Sequence, residues 1–186
     1  AWAELIVSQL LLTDDPELLR GQLGGADLLP SSAEAPPDLK FGVNTDAMIS
    51  GAACTLGYSP EVLGPWFLHN FQEVVGEGAV KQGEFEVVVG GEAYGSGSSR
   101  EVAVVAHQGA GIRLIIARSL QRIFQENLVY CGLPFTTDLG VVDRLLAGDD
   151  VDTRAFGDDL PPVFSAVAQE GGLLSFGTKL LAGEMS

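Results

Sequence analysis

The residues with the clearest chemical potential lie in one Gly-rich stretch near the middle of the chain. Residues 90–101 read Gly-Gly-Glu-Ala-Tyr-Gly-Ser-Gly-Ser-Ser-Arg-Glu. Glycines allow positive φ angles and let a ligand approach the main chain, because no Cβ stands in the way. A serine hydroxyl, the free amides of a helix N-terminus and the Arg100 guanidinium can together bind an anion, and Arg100 can hold a carboxylate with two N–H donors. The stretch is therefore a candidate site for a carboxylate ligand.

A simpler interpretation of these residues is local. Ser98 and Glu101 have the spacing of a capping box, in which Ser98 accepts from an amide of the first helical turn and Glu101 reaches back. A capping box does not explain why the stretch has so many glycines or why it contains Arg100. A phosphate- or nucleotide-binding α/β domain is a further alternative, but Arg100 stands where the dinucleotide fingerprint needs a third Gly. Arg118 stands where that fingerprint needs an acidic residue, and a P-loop needs a Lys before Ser or Thr.

Histidines and cysteines elsewhere in the chain are not singled out as catalysts or ligands. His107 lies in an apolar segment and His69 lies beside aromatic residues, so both are predicted to be packed side chains. Cys131 is predicted to be a small buried hydrophobe, and Cys54 carries no signal. The two cysteines are far apart in the sequence and form no Cys-x-x-Cys pair. The sequence therefore predicts no metal site and no disulfide framework in this chain.

Strand-like and helix-like segments alternate around the Gly-rich stretch. Residues 85–90 form a β-branched run that predicts a buried strand, and residues 102–107 predict a helix that ends at glycines. Residues 112–117 predict a second strand, and Ser119 is predicted to cap a helix with one apolar stripe of Leu120, Ile123, Phe124 and Leu128. This order predicts an α/β fold with a mixed, largely parallel sheet and flanking helices.

The first half of the chain gives weaker local signals. Residues 2–12 favour a helix over a strand, and the sequence around Pro16 predicts a short helix that ends at Gly24-Gly25. Residues 30–37 read as a Pro-rich surface linker. Residues 59–71 predict one helix with Ser59 as its cap and a core-facing stripe of Val62, Leu63, Trp66, Phe67 and Phe71.

In the last third of the chain, residues 141–146 predict a short helix. The acidic residues 149–159 predict a solvated segment. Two apolar runs, 163–167 and 173–176, are predicted to be final strands.

Composition and charge exclude several functional classes. The 186 residues are 46% hydrophobic, which is ample for one packed core, and the formal net charge is -15. Such a charge repels nucleic-acid phosphates and anionic membranes, so neither is an expected partner. No apolar run is long enough to span a bilayer, and the start lacks the basic region of a signal peptide. We therefore expect a cytoplasmic protein, whose missing initiator Met indicates processing or a chain cut from a longer one.

Several motifs, taken in order, resemble the aconitase superfamily. The resemblance is to its C-terminal swivel domain, which also occurs alone as the small subunit of two-subunit isopropylmalate and homoaconitate dehydratases. It covers much of the chain and rests on Asn44-Thr45-Asp46, residues 90–101, residues 111–119, Ile123-Phe124, Asn127-Leu128 and Gly132-Leu133-Pro134. The resemblance implies an aconitase swivel-like domain over residues 41–186. Residues 1–40 would be an N-terminal extension and Pro-rich linker.

The resemblance also implies a function. Swivel domains close over a larger subunit or domain that carries a [4Fe-4S] cluster, and the enzyme dehydrates and rehydrates a 2-hydroxy di- or tricarboxylic acid. Carried over, Ser98 is the base, Ser99 and Arg100 hold a substrate carboxylate, and Gly97 belongs to the substrate-binding loop. A serine base requires a closed site with amide donors and an adjacent cation. This lyase or isomerase would be active only with its partner, and the chain itself would bind no cluster.

Two positions depart from the family pattern. Tyr58 stands, by an approximate alignment, where aconitases tend to carry an Arg for the far carboxylate of the substrate. Tyr58 is therefore expected to face a less charged substituent, as in isopropylmalate. Val102 stands where the family usually has His. Both departures support one rival function, a non-catalytic binding or regulatory domain that kept the fold. A lid-like domain should also expose apolar surface to its partner on the face of the Gly-rich stretch.

Overall fold

The sheet at the centre of the molecule is parallel throughout. The computed structural model describes residues 8–26 and 38–184. In this part of the chain four strands form one sheet in the order β1-β2-β3-β4, each pairing in parallel with the next. The strands are β1 (Gln9–Leu11), β2 (Val87–Gly90), β3 (Leu114–Ala117) and β4 (Phe135–Thr136). The predicted α/β class with a largely parallel sheet and flanking helices is confirmed.

Strand β1 corrects the helix predicted over residues 2–12. Gln9 pairs with Val87 and Leu11 pairs with Val89, so β1 is an edge strand beside β2. All three residues of β1 are buried. A parallel strand covered on both faces has a continuous apolar run rather than a clear alternation, which is why its spacing resembled a helix. Residues 2–7 lie outside the described residues.

The helices that flank the sheet largely follow their sequence signals. They are α1 (Pro16–Leu23), α2 (Thr45–Met48), α3 (Pro60–Leu63), α4 (Ala79–Gln82), α5 (Glu101–Gly109), α6 (Arg122–Cys131), α7 (Gly140–Leu146), α8 (Pro162–Gln169) and α9 (Leu173–Ala182). Helix α1 begins as predicted, with the Asp15 side chain accepting from the amides of Glu17 and Leu18. The helices predicted over residues 102–107 and 141–146 are confirmed as α5 and α7.

The single helix predicted over residues 59–71 is wrong. Helix α3 ends at Leu63, a 3-10 turn follows at Gly64–Trp66, and another occupies Phe71–Glu73. Pro65 interrupts the helical hydrogen bonding, because it has no N–H to donate. Gly64 also lies so close to Gly109 of α5 that a Cβ on Gly64 would come within 2.3 Å of that backbone. The segment is still core, with Leu63, Phe67 and Phe71 buried, although Val62 is 40% exposed.

The two strands predicted at the end of the chain are also wrong. Residues 162–169 form α8, and residues 173–182 form α9. Val163 and Val167 are four residues apart, so they lie on neighbouring turns of one helix, and Pro162 suits the first turn. The ring of Phe164 stacks on Tyr130 of α6 at 5.9 Å. Short apolar runs are compatible with either element, and here the tertiary packing selects the helix.

The core has two parts, one on each face of the sheet. Alternate residues of each strand point to opposite faces. Leu10, Val88 and Ile115 therefore pack in the larger cluster with α5 and α6. Leu11 and Ile116 pack in the smaller cluster with α7.

The boundary predicted at residue 40 stays a prediction, but β1 places residues 9–11 in the same sheet as the later strands. The predicted linker at residues 30–37 lies outside the described residues. None of the described helices has the length and apolar character needed to cross a bilayer.

Candidate active site at the carboxyl edge of the sheet

The Gly-rich stretch connects the end of β2 to the start of α5, at the carboxyl edge of the parallel sheet. Ligands of open α/β sheets bind at this edge, where loops and helix N-termini meet. One side of the stretch is fixed to the segment before α2. Gly95 N donates to the Val43 carbonyl at 2.9 Å, and Thr45 N donates to Ser96 O at 2.9 Å. The buried Thr45 hydroxyl donates to the Ser98 carbonyl at 2.8 Å, which holds the tip of the loop.

The other side of the stretch is fixed to the segment between β3 and α6. Tyr94 N donates to Ser119 O at 3.0 Å, and Gln121 N donates to Tyr94 O at 2.9 Å. The Ser119 hydroxyl accepts from Ala93 N at 2.9 Å. Ser119 was predicted to cap α6, and that is wrong, because Gln121 is the N-cap residue and its side chain makes no capping bond. Ser119 holds the loop instead.

A buried polar pair anchors the loop in the core. Tyr94 and His107 are both 0% exposed, and the Tyr94 hydroxyl lies 2.7 Å from His107 Nε2. His107 Nδ1 lies 2.6 Å from the carbonyl oxygen of Ala103. A carbonyl can only accept, so Nδ1 carries the proton and Nε2 accepts from Tyr94. Burial lowers the pKa of His107 to about 4 and raises the pKa of Tyr94. The prediction that His107 is a packed side chain is confirmed.

Gly95 is required where the loop meets α6. Its φ is +77°, and a Cβ there would lie 2.2 Å from the ring of Phe124. The ring is buried in the core, so it has little freedom to move aside. Gly95 therefore allows the loop to pass directly over the first turn of α6.

The loop and α6 together form a cavity of about 510 Å³. Its size is typical of small-molecule sites. The loop contributes Gly97, Ser98, Ser99 and Arg100, which are four of the five predicted site residues. The remaining lining residues come from Thr45, Gly95 and the start of α6, namely Gln121, Arg122, Ile123, Phe124, Glu126 and Asn127.

The hydroxyl groups of the loop are free to bind a ligand. Ser98 and Ser99 are exposed, and within the described part of the chain neither hydroxyl has a hydrogen-bond partner. The predicted capping box between Ser98 and Glu101 does not form, because Arg100 is the N-cap residue of α5 and no side chain caps the helix. Ser98 thus lies beside the uncapped, positive end of α5, where an anion is stabilised.

Arg100 is held in place from one side. Its side chain is only 23% exposed, its Nη2 forms an ion pair with Asp46 at 2.6 Å, and its Nη1 donates to the Ile49 carbonyl at 3.1 Å. A guanidinium has five N–H donors, so these contacts leave donors for a ligand. Asp46 is 59% exposed, which makes its ion pair with Arg100 open to competition from a carboxylate.

Tyr58 lies apart from this cavity. The residue is 57% exposed. Partial burial of its side chain, followed by a hydrogen bond to Glu101, raises the pKa of Tyr58 to about 12. Glu101 also accepts from the Cys131 thiol at 3.8 Å. Tyr58 is therefore near the first turn of α5, but it is not among the residues that line the cavity. Its predicted contact with substrate stays a prediction.

The residues of the described chain do not fit an iron–sulfur cluster. Within residues 8–26 and 38–184 no group of three or more His, Cys, Asp or Glu side chains could hold a metal ion. Cys54 and Cys131 are both free, and burial, followed by the nearby Glu101, raises the pKa of the Cys131 thiol to about 12. A cluster requires several thiolates. This chain cannot supply them.

Sequence reasoning missed three residues that shape the cavity. Thr45 holds the loop tip, Tyr94 anchors the loop base, and Asn127 lines the cavity from α6. Thr45 and Asn127 both stand in motifs of the family resemblance, but nothing in the sequence spacing places them beside the Gly-rich stretch. The contact of Thr45 with Ser98, for example, joins residues 53 positions apart.

Comparisons with known proteins agree with the fold. The family model for the aconitase C-terminal domain matches residues 72–137. A 3-isopropylmalate dehydratase small subunit from Halothermothrix orenii is 36% identical over 115 residues, covering 61% of this chain and 68% of that protein. An isopropylmalate/citramalate isomerase small subunit from Methanocaldococcus jannaschii is 31% identical over 158 residues, covering 77% of this chain and 92% of that protein.

A solved structure also shares the fold. The crystal structure of a 3-isopropylmalate dehydratase from Methanocaldococcus jannaschii matches with a TM-score of 0.54 and 25% sequence identity. The match covers 77% of this chain and 92% of the crystallised one. The swivel-like architecture is therefore shared by both proteins.

Proposed function

This chain belongs to the aconitase swivel-domain family, among the small subunits of isopropylmalate dehydratases, and on that premise we propose that Ser98 is the base of its hydro-lyase reaction. The supporting observation is the shared cavity of Ser98, Ser99 and Arg100 at the end of β2. Arg100 binds a carboxylate of a 2-hydroxy acid, and Ser99 adds a hydroxyl donor. Ser98 removes the proton from the carbon beside that carboxylate.

The local charges make a serine base plausible in a closed site. The free amides at the start of α5 and the Arg100 guanidinium stabilise negative charge on the Ser98 oxygen. This stabilisation is weak while the loop faces water, because solvent screens it. A covering partner therefore has to exclude water before Ser98 can act. The large subunit is that partner, and the [4Fe-4S] cluster is expected there, since this chain lacks the thiolates to bind it.

We infer the substrate class from the cavity lining, which has a cationic part and an apolar part. Arg100 is cationic, while Ile123 and Phe124 present apolar surface to the same space. Ile123 is 54% exposed, which leaves it available for contact with an alkyl group. A dicarboxylic hydroxy acid with a branched alkyl substituent suits both parts, since its carboxylate binds Arg100 and its alkyl group contacts Ile123 and Phe124. The relatives named as isopropylmalate dehydratases support the same choice. We propose isopropylmalate, or a close homologue of it, as the substrate.

The test is turnover of isopropylmalate by this chain combined with its large subunit. Loss of a positioned base lowers turnover by about 10²–10⁴-fold, and we expect a loss of that order from Ser98→Ala. Ser96→Ala is the matched control, because Ser96 belongs to the same loop but its side chain does not line the cavity. We expect the control to keep wild-type turnover. Equal turnover by wild type and Ser98→Ala would refute the role of Ser98 as the base. No turnover by the wild-type complex would favour the non-catalytic alternative.

A further inference from the structure

Asn127 presents an unusual polar group beside the cavity. It lies on α6, one turn after Ile123, and lines the same space as Ser98 and Arg100. Its amide nitrogen Nδ2 is buried and has no hydrogen-bond partner within the described part of the chain. Most buried amides in native proteins are paired, so an unpaired one calls for an explanation.

A nearby amide on the same helix shows the normal arrangement. Gln125 Nε2 donates to the Leu120 carbonyl at 2.8 Å, and Gln125 does not line the cavity. Gln125 thus finds an acceptor within the chain, whereas Asn127, which lines the cavity, has none for its Nδ2 in the described residues. A ligand that enters the cavity would bring the missing acceptor.

The chemistry of the cavity identifies that acceptor. An amide N–H is a neutral donor, and the other donors of the wall are the Arg100 guanidinium and the serine hydroxyls. A carboxylate presents two acceptor oxygens with about four lone-pair sites, which is more than Arg100 can satisfy alone. The terminal torsion of Asn is soft, so we expect rotation about it to turn Nδ2 from its buried position toward the cavity when the acid binds.

We propose that Asn127 is a substrate-binding residue whose side-chain amide donates a hydrogen bond to a carboxylate oxygen of the hydroxy acid. This assignment rests on the proposed function of the Ser98 cavity. It adds a contact from α6 to those that the Gly-rich loop makes. Binding of the acid would thus be shared between two elements, the loop before α5 and the second turn of α6.

A purely structural role predicts the opposite effect on stability. If Asn127 were bonded within the folded chain, replacing it with Leu, which has a similar shape, would destabilise the chain. If its donor is unpaired until substrate binds, Asn127→Leu leaves stability unchanged or raises it, because an unsatisfied buried polar group is removed. The same substitution then weakens substrate binding. This combination separates the two roles.

The experiment uses this chain in complex with its large subunit. We expect Asn127→Leu to raise KM for isopropylmalate by about ten- to a hundredfold, the loss typical of one hydrogen bond to a charged group, with kcat changed less than KM. Asn127→Asp should raise KM at least as much, because its charge repels the carboxylate. The urea midpoint of Asn127→Leu should equal or exceed that of wild type. Gln125→Leu, the control, should lower the urea midpoint and leave KM unchanged.

Two results would overturn the assignment: an unchanged KM in Asn127→Leu, or a KM increase that is accompanied by a lower urea midpoint. An inactive wild-type complex would instead refute the proposed reaction. The role of Asn127 is then tested by the binding of 3-isopropylmalate, without turnover. In that case millimolar 3-isopropylmalate should raise the unfolding temperature of the wild-type complex more than that of Asn127→Leu. Equal shifts in the two complexes, including no shift in either, would overturn the assignment.

Discussion

Acid should destabilise the chain through His107, the buried partner of Tyr94. In the folded chain the ring is neutral, with Nδ1 donating to Ala103 and Nε2 accepting from Tyr94. Protonation of Nε2 would turn that acceptor into a donor facing the Tyr94 hydroxyl. It would also put a charge among the rings of Phe67 and Phe124, whose centroids lie 4.1 and 5.9 Å away. Burial in this apolar environment is the main reason why the pKa of His107 is low.

The size of the effect follows from two pKa values. The ordinary pKa of His is 6.5, and burial lowers that of His107 to about 4 in the folded chain. Below pH 6.5 the unfolded chain gains a proton that the folded chain does not, so stability is lost as the pH falls. The loss levels off below about pH 4, where His107 is protonated in both states. Linkage gives a loss of about 2 kcal/mol at pH 5 and about 3 kcal/mol in full.

The assay is urea unfolding of wild type and His107→Asn between about pH 7.5 and about pH 5, where the proton linkage of His107 operates. His107→Asn should be the less stable at the higher pH, because it disturbs the bond to Tyr94. The difference in unfolding free energy between the two chains should shrink by about 2 kcal/mol at the lower pH, because the variant lacks the linkage. Other acid effects act on both chains and cancel in this difference.

The pH dependence of the difference decides the matter. If the difference in unfolding free energy between wild type and His107→Asn stays constant over this pH range, the argument from the buried, neutral ring of His107 is wrong.

Two further predictions concern how the loop is held. Thr45→Val removes a buried hydroxyl bond to the loop tip, so we expect a loss of about 1 kcal/mol in stability and a clear fall in turnover of the complex. Thr55→Val, which removes an exposed hydroxyl bond, should leave turnover unchanged, and equal turnover in the two variants would contradict this role. Gly95→Ala should cost about 1–3 kcal/mol more than Gly148→Ala, since both glycines have positive φ but only the first meets Phe124. Equal urea midpoints for the two alanine variants would refute the clash.

Local sequence signals predicted the centre of the fold well. Strand β3 and helix α5 lie within two residues of their predicted bounds, because long apolar runs and flanking glycines mark them clearly. The loop between β2 and α5 was also placed correctly at a helix start, and its role as an anion site stays a prediction. Its chemistry is local in the sequence, since Ser98, Ser99 and Arg100 are adjacent. The strand–loop–helix order places them together at the edge of the sheet, while the opposite wall of the cavity comes from α6.

The errors have a common physical cause. Segments 163–167 and 173–176 are short and apolar, so their local sequence does not decide between strand and helix, and they form helices that pack against α6 and against each other. The capping box failed for a related reason. Glu101 has Tyr58 and Cys131 as partners, which come from distant parts of the sequence. Thr45 and Asn127 were likewise beyond local reasoning, because a contact between elements far apart in the chain leaves no spacing to detect.

Charge indicates what the covering partner has to contribute. The chain carries a net charge of -15, so a dianionic acid is repelled by the molecule as a whole. Arg100 counters this locally, but part of its charge is already offset by Asp46. Arg122, at the other wall of the cavity, is paired with Glu126 at 3.1 Å. The cavity can therefore orient one carboxylate through hydrogen bonds, but its positive charge is too small to attract both carboxylates of the acid. Under the proposed function we therefore expect the large subunit to supply further positive charge as well as to exclude water. The affinity of the free chain for isopropylmalate should then be far below that of the complex.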